Sequence, residues 1–115
     1  MSYLLLIVEP TGQRQDRGPD AGRAMYERML QYTDSLKARG VLAGTNSLKS
    51  DGARLTIRGG QRTVVDGPFT EAKELVGGYF LLNVKTRDEA LAFASDCPAA
   101  EWATVEVRET GPCYD

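Results

Sequence analysis

Two short segments that are apolar on both faces constrain the fold more than any other feature of this sequence. Residues 3–8 have the sequence YLLLIV, and residues 79–84 have the sequence YFLLNV. Successive side chains of a strand point to opposite faces of a sheet, so both faces of these strands are apolar. Helices packed on one side of an antiparallel sheet cover one face only. A second copy of the same sheet would cover the other in a homodimer; the alternative is a monomer whose middle loops fold over it.

The first half of the chain predicts a strand, a loop, a helix and a second strand. Residues 10–19 are polar and contain two prolines and two glycines, which predicts a long loop. Residues 21–39 carry apolar side chains at helical spacing, and Gly40 supplies a left-handed end to that helix. Residues 41–48 predict an extended segment.

The middle of the chain predicts a β-hairpin. Residues 54–58, with the sequence RLTIR, and residues 61–65, with the sequence QRTVV, flank Gly59-Gly60, which is a strong signal for a two-residue turn. That turn sets the register, so Leu55 faces Val64 and Ala53 faces Asp66. After the hairpin, residues 71–75 predict a single helical turn that the glycines at 77 and 78 end.

The last third of the chain predicts a second helix and a final strand. Thr86 and Glu89 form a capping box at the start of the helix, Pro98 ends it, and residues 104–108 alternate as a strand. The whole order is that of an α+β, ferredoxin-like βαββαβ sandwich with a hairpin added in the middle. At 115 residues the chain is expected to form a single domain over residues 1–115.

Composition excludes several kinds of chemistry. The sequence has no histidine, which removes histidine-activated nucleophiles and zinc sites with histidine ligands, and no cofactor motif is present. Cys97 and Cys113 are sixteen positions apart and are interpreted as two reduced thiols without a metal. The longest apolar run has five residues and no basic stretch precedes it, so we expect no membrane span, no signal peptide and a cytoplasmic location.

Asp66 is the most informative acidic residue. The predicted register puts it at the end of the apolar stripe of the hairpin, where partial burial would raise the pKa of its carboxyl toward values useful for proton transfer. The alternative, which we favour from the residues alone, is that Asp66 caps the turn formed by Asp66-Gly67-Pro68.

Four further polar side chains are candidates for a site around Asp66. Lys73 could neutralise a carboxylate or an anionic substrate, and Glu71 lies two residues before it. Tyr79 offers a phenol and Arg108 a guanidinium on neighbouring strands. The alternatives are a solvated turn for Glu71 and Lys73, and a half-buried tyrosine and a paired arginine for the other two.

Charge is distributed unevenly along the chain. Residues 1–62 hold ten basic and six acidic side chains, whereas residues 63–115 hold four and ten. Arg54, Arg58 and Arg62 cluster on the hairpin, but no aromatic residue lies among them to stack on bases. We therefore expect no nucleic-acid partner, and a basic hairpin that steers anions or meets an acidic partner.

Residues 66–79 carry a family signature. The segment contains the following residues at fixed spacing: Asp66-Gly67-Pro68-Phe69, Glu71, Lys73, Glu74, Gly77, Gly78 and Tyr79. It resembles the signature of the DGPF group of YCII-related proteins, and the resemblance extends over nearly the whole chain.

This resemblance implies a dimeric α/β barrel in which two ferredoxin-like sheets pack face to face. It also implies a small bacterial protein from a group with no settled activity, some of whose members are linked to sigma factors of the extracytoplasmic-function type. Relatives in the wider family are proposed to use a histidine and an aspartate as an acid–base pair. This chain has no histidine, so only Asp66 and its neighbours can be proposed.

Two classes of function follow from these patterns. In the first, the protein is an enzyme, or a former enzyme, that binds a small polar or anionic molecule. Asp66 and Lys73 would be catalytic, and Glu71, Tyr79 and Arg108 would bind the ligand. In the second, the protein is a regulatory homodimer that presents the hairpin or residues 10–19 to a protein partner.

Overall fold

The computed structural model describes residues 2–114, which form six strands and two helices. The elements in chain order are β1 (Tyr3–Pro10), α1 (Gln13–Ala38), β2 (Leu42–Ser47), β3 (Ala53–Arg58), β4 (Gln61–Asp66), β5 (Glu74–Leu82), α2 (Arg87–Ser95) and β6 (Thr104–Glu109). A short 3₁₀ helix, Pro98–Glu101, lies between α2 and β6.

The main sheet has four strands in the order β2-β5-β1-β6, and every neighbouring pair is antiparallel. Without β3 and β4, which pair only with each other, this is the ferredoxin-like order. The α+β class and this strand order therefore agree with the prediction from sequence.

One face of the sheet packs under the helices and forms the core. Leu5 of β1 is opposite Phe80 of β5 and Val107 of β6, so these side chains share that face. The buried core consists of Tyr3, Leu5, Ile7, Tyr32, Leu36, Phe80, Leu82, Val84, Ala90, Phe93, Ala94, Cys97 and Ala99. Burial of these side chains is the main stabilising contribution to the fold.

The opposite face of the sheet, called here the outward face, is also apolar. Its side chains alternate with those of the core, and Leu4, Leu6 and Val8 of β1 are half-buried. Leu81 of β5 lies opposite Leu4 on the same face. The middle hairpin leaves this face uncovered, because every residue of β3 and β4 is itself exposed.

The hairpin of β3 and β4, residues 53–66, is called the hairpin arm. Gly59 and Gly60 form its turn with φ values of 58° and 79°, which glycine adopts without steric cost. The predicted register is confirmed, from Arg58 opposite Gln61 to Ala53 opposite Asp66.

Helix α1 starts earlier than predicted, so the prediction of a loop over residues 10–19 is wrong. The helix begins at Gln13 and is kinked at Gly18, whose φ of 77° and ψ of 172° are not helical. Pro19 follows directly and starts the second part of the helix, as proline commonly does. Gly40, with a φ of 71°, lies just past the end of the helix as predicted.

The helical turn predicted over residues 71–75 is absent from the structure. This segment forms an irregular turn that enters β5 at Glu74, so the glycines at 77 and 78 lie inside a strand. The capping box of α2 is confirmed: the Thr86 hydroxyl accepts from the Glu89 amide at 3.1 Å, and the Glu89 carboxylate accepts from the Thr86 amide at 3.1 Å.

Candidate functional site

A cleft of about 610 Å³ lies between α1 and the helix-facing side of the sheet. This volume is within the usual range for sites that bind small molecules. Its apolar lining includes Ile7, Met25, Met29, Leu30, Phe80 and Trp102, and its polar lining includes Glu9, Arg14, Arg17, Tyr26, Thr33, Lys37 and Thr45. We call it the α1 cleft.

A buried ion pair forms part of the wall of the α1 cleft. Arg14 Nε donates to Glu9 Oε2 at 2.9 Å and Arg14 Nη2 donates to Glu9 Oε1 at 2.7 Å, so the contact is bidentate. Glu9 is only 7% exposed. Because a buried carboxylate is costly unless it is paired, the two side chains are best understood as a structural unit.

Arg14 also connects two parts of the sheet through backbone carbonyls. Its Nη1 donates to the carbonyl of Leu48, just after β2, at 2.8 Å. Its Nη2 also donates to the carbonyl of Gly77 in β5, at 3.3 Å. With Glu9 on β1, the guanidinium therefore connects β1, β5 and the residue that follows β2 at the cleft.

The ion pair explains why the residue at position 77 is glycine. The β1–β5 register shifts between Ile7 and Val8, so Gly77 lies at a β-bulge. A Cβ at Gly77 would overlap the carboxylate of Glu9. The sequence predicted that this glycine ends a helical turn. The structure shows instead a close approach of an ion pair of the chain itself.

Arg17 brings an unpartnered donor to the α1 cleft. Its Nε is buried and makes no hydrogen bond within residues 2–114. The Oε1 atom of Gln13, one turn earlier, is also buried without a partner, while Gln13 Nε2 donates to the carbonyl of Trp102 at 2.6 Å. A buried polar atom without a partner costs about 1–3 kcal/mol, so a ligand that accepts from Arg17 would recover that energy.

Cations outnumber carboxylates along the cleft. Arg14, Arg17 and Lys37 line it, whereas Glu9 is the one carboxylate lining it in the described part of the chain. Since Glu9 already neutralises Arg14, the charges of Arg17 and Lys37 remain to attract an anion.

Trp102 is positioned by a surface pair on the outside of the cleft. Arg28 of α1 lies 5.5 Å from the centre of the Trp102 ring and donates to both oxygens of Glu101. The hydrogen bond from Arg28 lowers the pKa of the Glu101 carboxyl. This contact fixes α1 against the 3₁₀ helix that carries Glu101.

The side chain of Asp66 is exposed to solvent. Asp66 lies at the end of β4, and its carboxylate makes no hydrogen bond or ion pair with any residue between 2 and 114. The partial burial that would favour proton transfer is therefore absent. The capping interaction at this corner is made by Asp51 instead, whose Oδ1 accepts from the Gly52 amide at 2.9 Å.

The other predicted site residues do not gather around Asp66. Glu71 is exposed and pairs with Arg54 at 3.5 Å, and Lys73 is exposed. Tyr79 is half-buried in β5, opposite Leu6 of the outward face, and its hydroxyl accepts from Asn46 at 3.0 Å. Of the five predicted residues only Tyr79 belongs to the lining of the α1 cleft.

Arg108 lies on the outward face as well. It is opposite Leu4 in the β1–β6 register, and its Nε is 4.0 Å from a carboxylate oxygen of Glu106. The prediction of a paired arginine describes this position, although an exposed pair at that distance contributes little to stability.

The segment Asp66-Gly67-Pro68-Phe69 closes the base of the hairpin arm. The Gly67 amide donates to the Gly52 carbonyl at 2.7 Å, which joins the two ends of the arm. The Arg54 guanidinium lies 3.9 Å from the centre of the Phe69 ring and also faces Glu71. The role that the structure supports for this signature is thus to hold the arm.

Sequence reasoning missed Glu9, Arg14 and Arg17. One signal was present: Glu9 continues the alternation of Tyr3, Leu5 and Ile7, so a strand extended by two residues puts a carboxylate on the buried face. A buried carboxylate calls for a cation, and Arg14 is five residues further along.

Residues 2–114 contain neither a helix that could cross a membrane nor a cluster of metal-ligating side chains. No helix there is long and apolar enough to cross a membrane. No group of three or more Cys, Asp or Glu side chains in this range is arranged to hold a metal ion. Both cysteine thiols are free, with Cys97 buried and Cys113 exposed.

Comparisons with known proteins identify one family. The family model for the YCII-related domain matches residues 1–112. An uncharacterized protein of Rhizobium meliloti (strain 1021), R00369, is 36% identical over 90 residues, which cover 71% of this chain and 73% of that protein.

Proposed function

The chain belongs to the YCII-related family, and from that premise we propose that it binds a small anionic molecule with an apolar body in the α1 cleft. The observation that carries this proposal is the buried Nε of Arg17, which has no partner within residues 2–114. An anionic group at Arg17 would supply that partner, and the methionines and aromatic rings of the cleft would contact the apolar body.

Ligand binding is better supported than proton transfer. A general base has to be free to accept a proton, and the carboxylate of Glu9 is engaged by two hydrogen bonds from Arg14. A proton-transfer site at Asp66 and Lys73 stays a prediction, which the Asp66→Asn variant described below can test.

The proposal is tested with a matched pair of ligands, 3-phenylpropanoate and its neutral amide. We expect the carboxylate to bind more tightly, and the Arg17→Met variant to bind it about 10- to 100-fold more weakly, because loss of a charged hydrogen bond costs about 1.5–3 kcal/mol. Binding of the amide should change little. Isothermal titration calorimetry measures all four affinities.

Arg23→Met is the control, because Arg23 is on the same helix but is exposed, pairs with Asp20 and is not part of the cleft lining. Equal affinities for the two ligands, or the same loss in the control, would contradict the proposal. If Asp66→Asn abolished binding of 3-phenylpropanoate while Arg17→Met left it unchanged, the binding site would lie at the base of the hairpin arm.

A second candidate function is a regulatory or interaction homodimer. The apolar outward face favours it, since Leu4, Leu6 and Val8 are covered by no other element within residues 2–114. We propose that two chains pair through these faces to give a dimeric α/β barrel.

Residues 66–79 support placing the chain in the DGPF group, and with it the proposals of a bacterial origin and a link to an extracytoplasmic-function sigma factor. The two free thiols support a cytoplasmic location.

A further inference from the structure

The hairpin arm extends away from the rest of the chain. The molecule measures 46 × 41 × 18 Å, and its radius of gyration is 16.0 Å. A compact domain of this length would have a radius of gyration of about 13 Å. Every residue of β3 and β4 is exposed, so the arm accounts for an extended part of the molecule, with the contacts of Arg54 to Phe69 and Glu71 at its base.

The two faces of the arm differ in chemistry. One face carries Leu55, Ile57 and Val64, which are 53%, 59% and 43% exposed. Arg62 lies opposite Ile57 on that face, near the turn. On the other face Val65 stands opposite Arg54, among threonine and arginine side chains. The first face, the apolar face of the arm, is an uncovered hydrophobic stripe.

The arm is fixed at its base and unsupported along its length. The Gly67 amide bonds to the Gly52 carbonyl, and Phe69 lies under Arg54. Beyond that base the two strands pair only with each other, and an isolated two-stranded hairpin is marginally stable in water. A partner along the apolar face would stabilise it.

We propose that the apolar face of the hairpin arm packs against a second copy of this chain, beside its outward sheet face. This inference rests on the pairing proposed above and adds a second contact to it. In a dimer with twofold symmetry the arm of each subunit reaches the other subunit, so the dimer contains two equivalent copies of this contact.

Charge favours a second copy as the occupant. The arm, residues 53–66, holds three arginines and one acidic residue, Asp66, whereas residues 67–115 hold nine acidic and four basic side chains. The register puts two acidic residues, Glu74 and Glu106, on the outward face. Arg108 is the one basic residue on that face in the described strands. A basic arm and an acidic, apolar surface are thus uncovered on the same chain.

The test compares substitutions on the two faces of the arm by sedimentation velocity over a dilution series of the full chain. For a variant with Ile57→Thr and Val64→Thr we expect the dimer dissociation constant to rise about tenfold or more, because buried aliphatic contacts are lost. Threonine keeps the strand propensity of the hairpin. Val65→Thr is the control on the opposite face and should leave the constant unchanged.

A charge pair of variants repeats the comparison. Arg62→Glu, on the apolar face, should weaken the dimer at low salt, and the effect should shrink as ionic strength rises. Arg58→Glu, on the opposite face, should have little effect. Concentration-dependent protection of the arm's amides from hydrogen exchange in the unmodified protein gives an independent measurement, which does not depend on any variant folding.

The outcomes separate the two proposals. A monomer at all concentrations would overturn both the pairing and the arm contact. A dimer that the apolar-face variants leave unchanged would overturn the arm contact alone, as would equal weakening by variants of both faces or arm amides whose exchange does not depend on concentration.

Discussion

The side chain of Tyr32 connects the two helices through the core. Its hydroxyl donates to the carbonyl of Phe93 in α2 at 2.7 Å, and its ring meets Phe80 edge to face with centres 5.2 Å apart. Burial raises the pKa of the phenol well above its ordinary value of 10.0. The folded state therefore holds Tyr32 in its neutral form.

We predict that Tyr32→Phe lowers the free energy of unfolding at pH 7 by about 1–3 kcal/mol, since the carbonyl of Phe93 loses a buried partner. The difference between the two proteins should shrink above about pH 10. Above that pH the phenol of Tyr32 ionises in the unfolded state but stays neutral in the folded state, which lowers the free energy of unfolding of the native protein. The variant has no phenol at this position, so its free energy of unfolding does not fall for this reason. Urea unfolding at pH 7, 9 and 11 measures this difference. A gap that stays constant over this range would contradict the raised pKa.

Single residues were predictable where local geometry decides them. The partner of Asp66 followed from the Gly59-Gly60 turn, because a two-residue turn fixes the register of a hairpin. Its surroundings did not follow, because exposure depends on whether the arm packs on the rest of the chain. The Glu9–Arg14 pair was missed because it depends on β1 continuing to Pro10 and on a helix where a loop was predicted.

The kink in α1 orients the segment that carries Arg14 and Arg17. Gly18 adopts a φ of 77° and a ψ of 172°, a region essentially restricted to glycine that a side chain would disfavour by about 1–3 kcal/mol. A smaller cavity of about 390 Å³ lies at the kink and shares Arg14, Arg17 and Gly22 with the α1 cleft. The conformation of Gly18 is therefore linked to the position of the cleft's cations.

We predict that Gly18→Ala lowers the free energy of unfolding by about 1–3 kcal/mol and weakens binding of 3-phenylpropanoate. Gly22→Ala is the matched control for stability alone, because Gly22 itself lines the cleft: it lies in the helix, its Cβ would be 3.7 Å from Arg17 Nε, and the change should stabilise the protein by up to about 1 kcal/mol. Urea unfolding and calorimetry give both quantities. Equal effects of the two substitutions on stability would show that the kink is unimportant.

Elements with strong local signals were predicted well. The hairpin has its glycine turn, and α2 has its capping box. The first turn of α1 has no side-chain cap, and its contacts are long-range, such as the bond from Gln13 to Trp102, 89 positions away. The helical turn predicted over residues 71–75 failed for a similar reason, because pairing with β1 draws Glu74 and Leu75 into β5.

At the scale of the whole molecule, the outward face is the feature that a single chain leaves incomplete. The two strands with apolar side chains on both faces predicted this feature from sequence. In the structure, helices cover one face of the sheet and the other face is left half-buried. The sequence alone could not identify what covers the second face, because the pattern records only that a surface is apolar.

We predict that Leu6→Lys abolishes pairing of the chains, because a buried lysine on each outward face would need to lose its hydration. Leu91→Lys is the control, since Leu91 is 37% exposed on α2, on the other side of the molecule. Sedimentation equilibrium should give twice the chain mass of 12.6 kDa for the native protein and the control, and that mass itself for Leu6→Lys. A dimer that survives Leu6→Lys would place the interface elsewhere.

The hydrogen bond between Gly67 and Gly52 has a consequence for how this architecture can diversify. The chain leaves the domain at Gly52 and returns beside it at Gly67, with a separation of 2.7 Å between the bonded atoms. Everything between these points is an excursion that contributes nothing to the core. Its length and composition can therefore change without altering the core, so related proteins that share the domain can differ in what their arms contact.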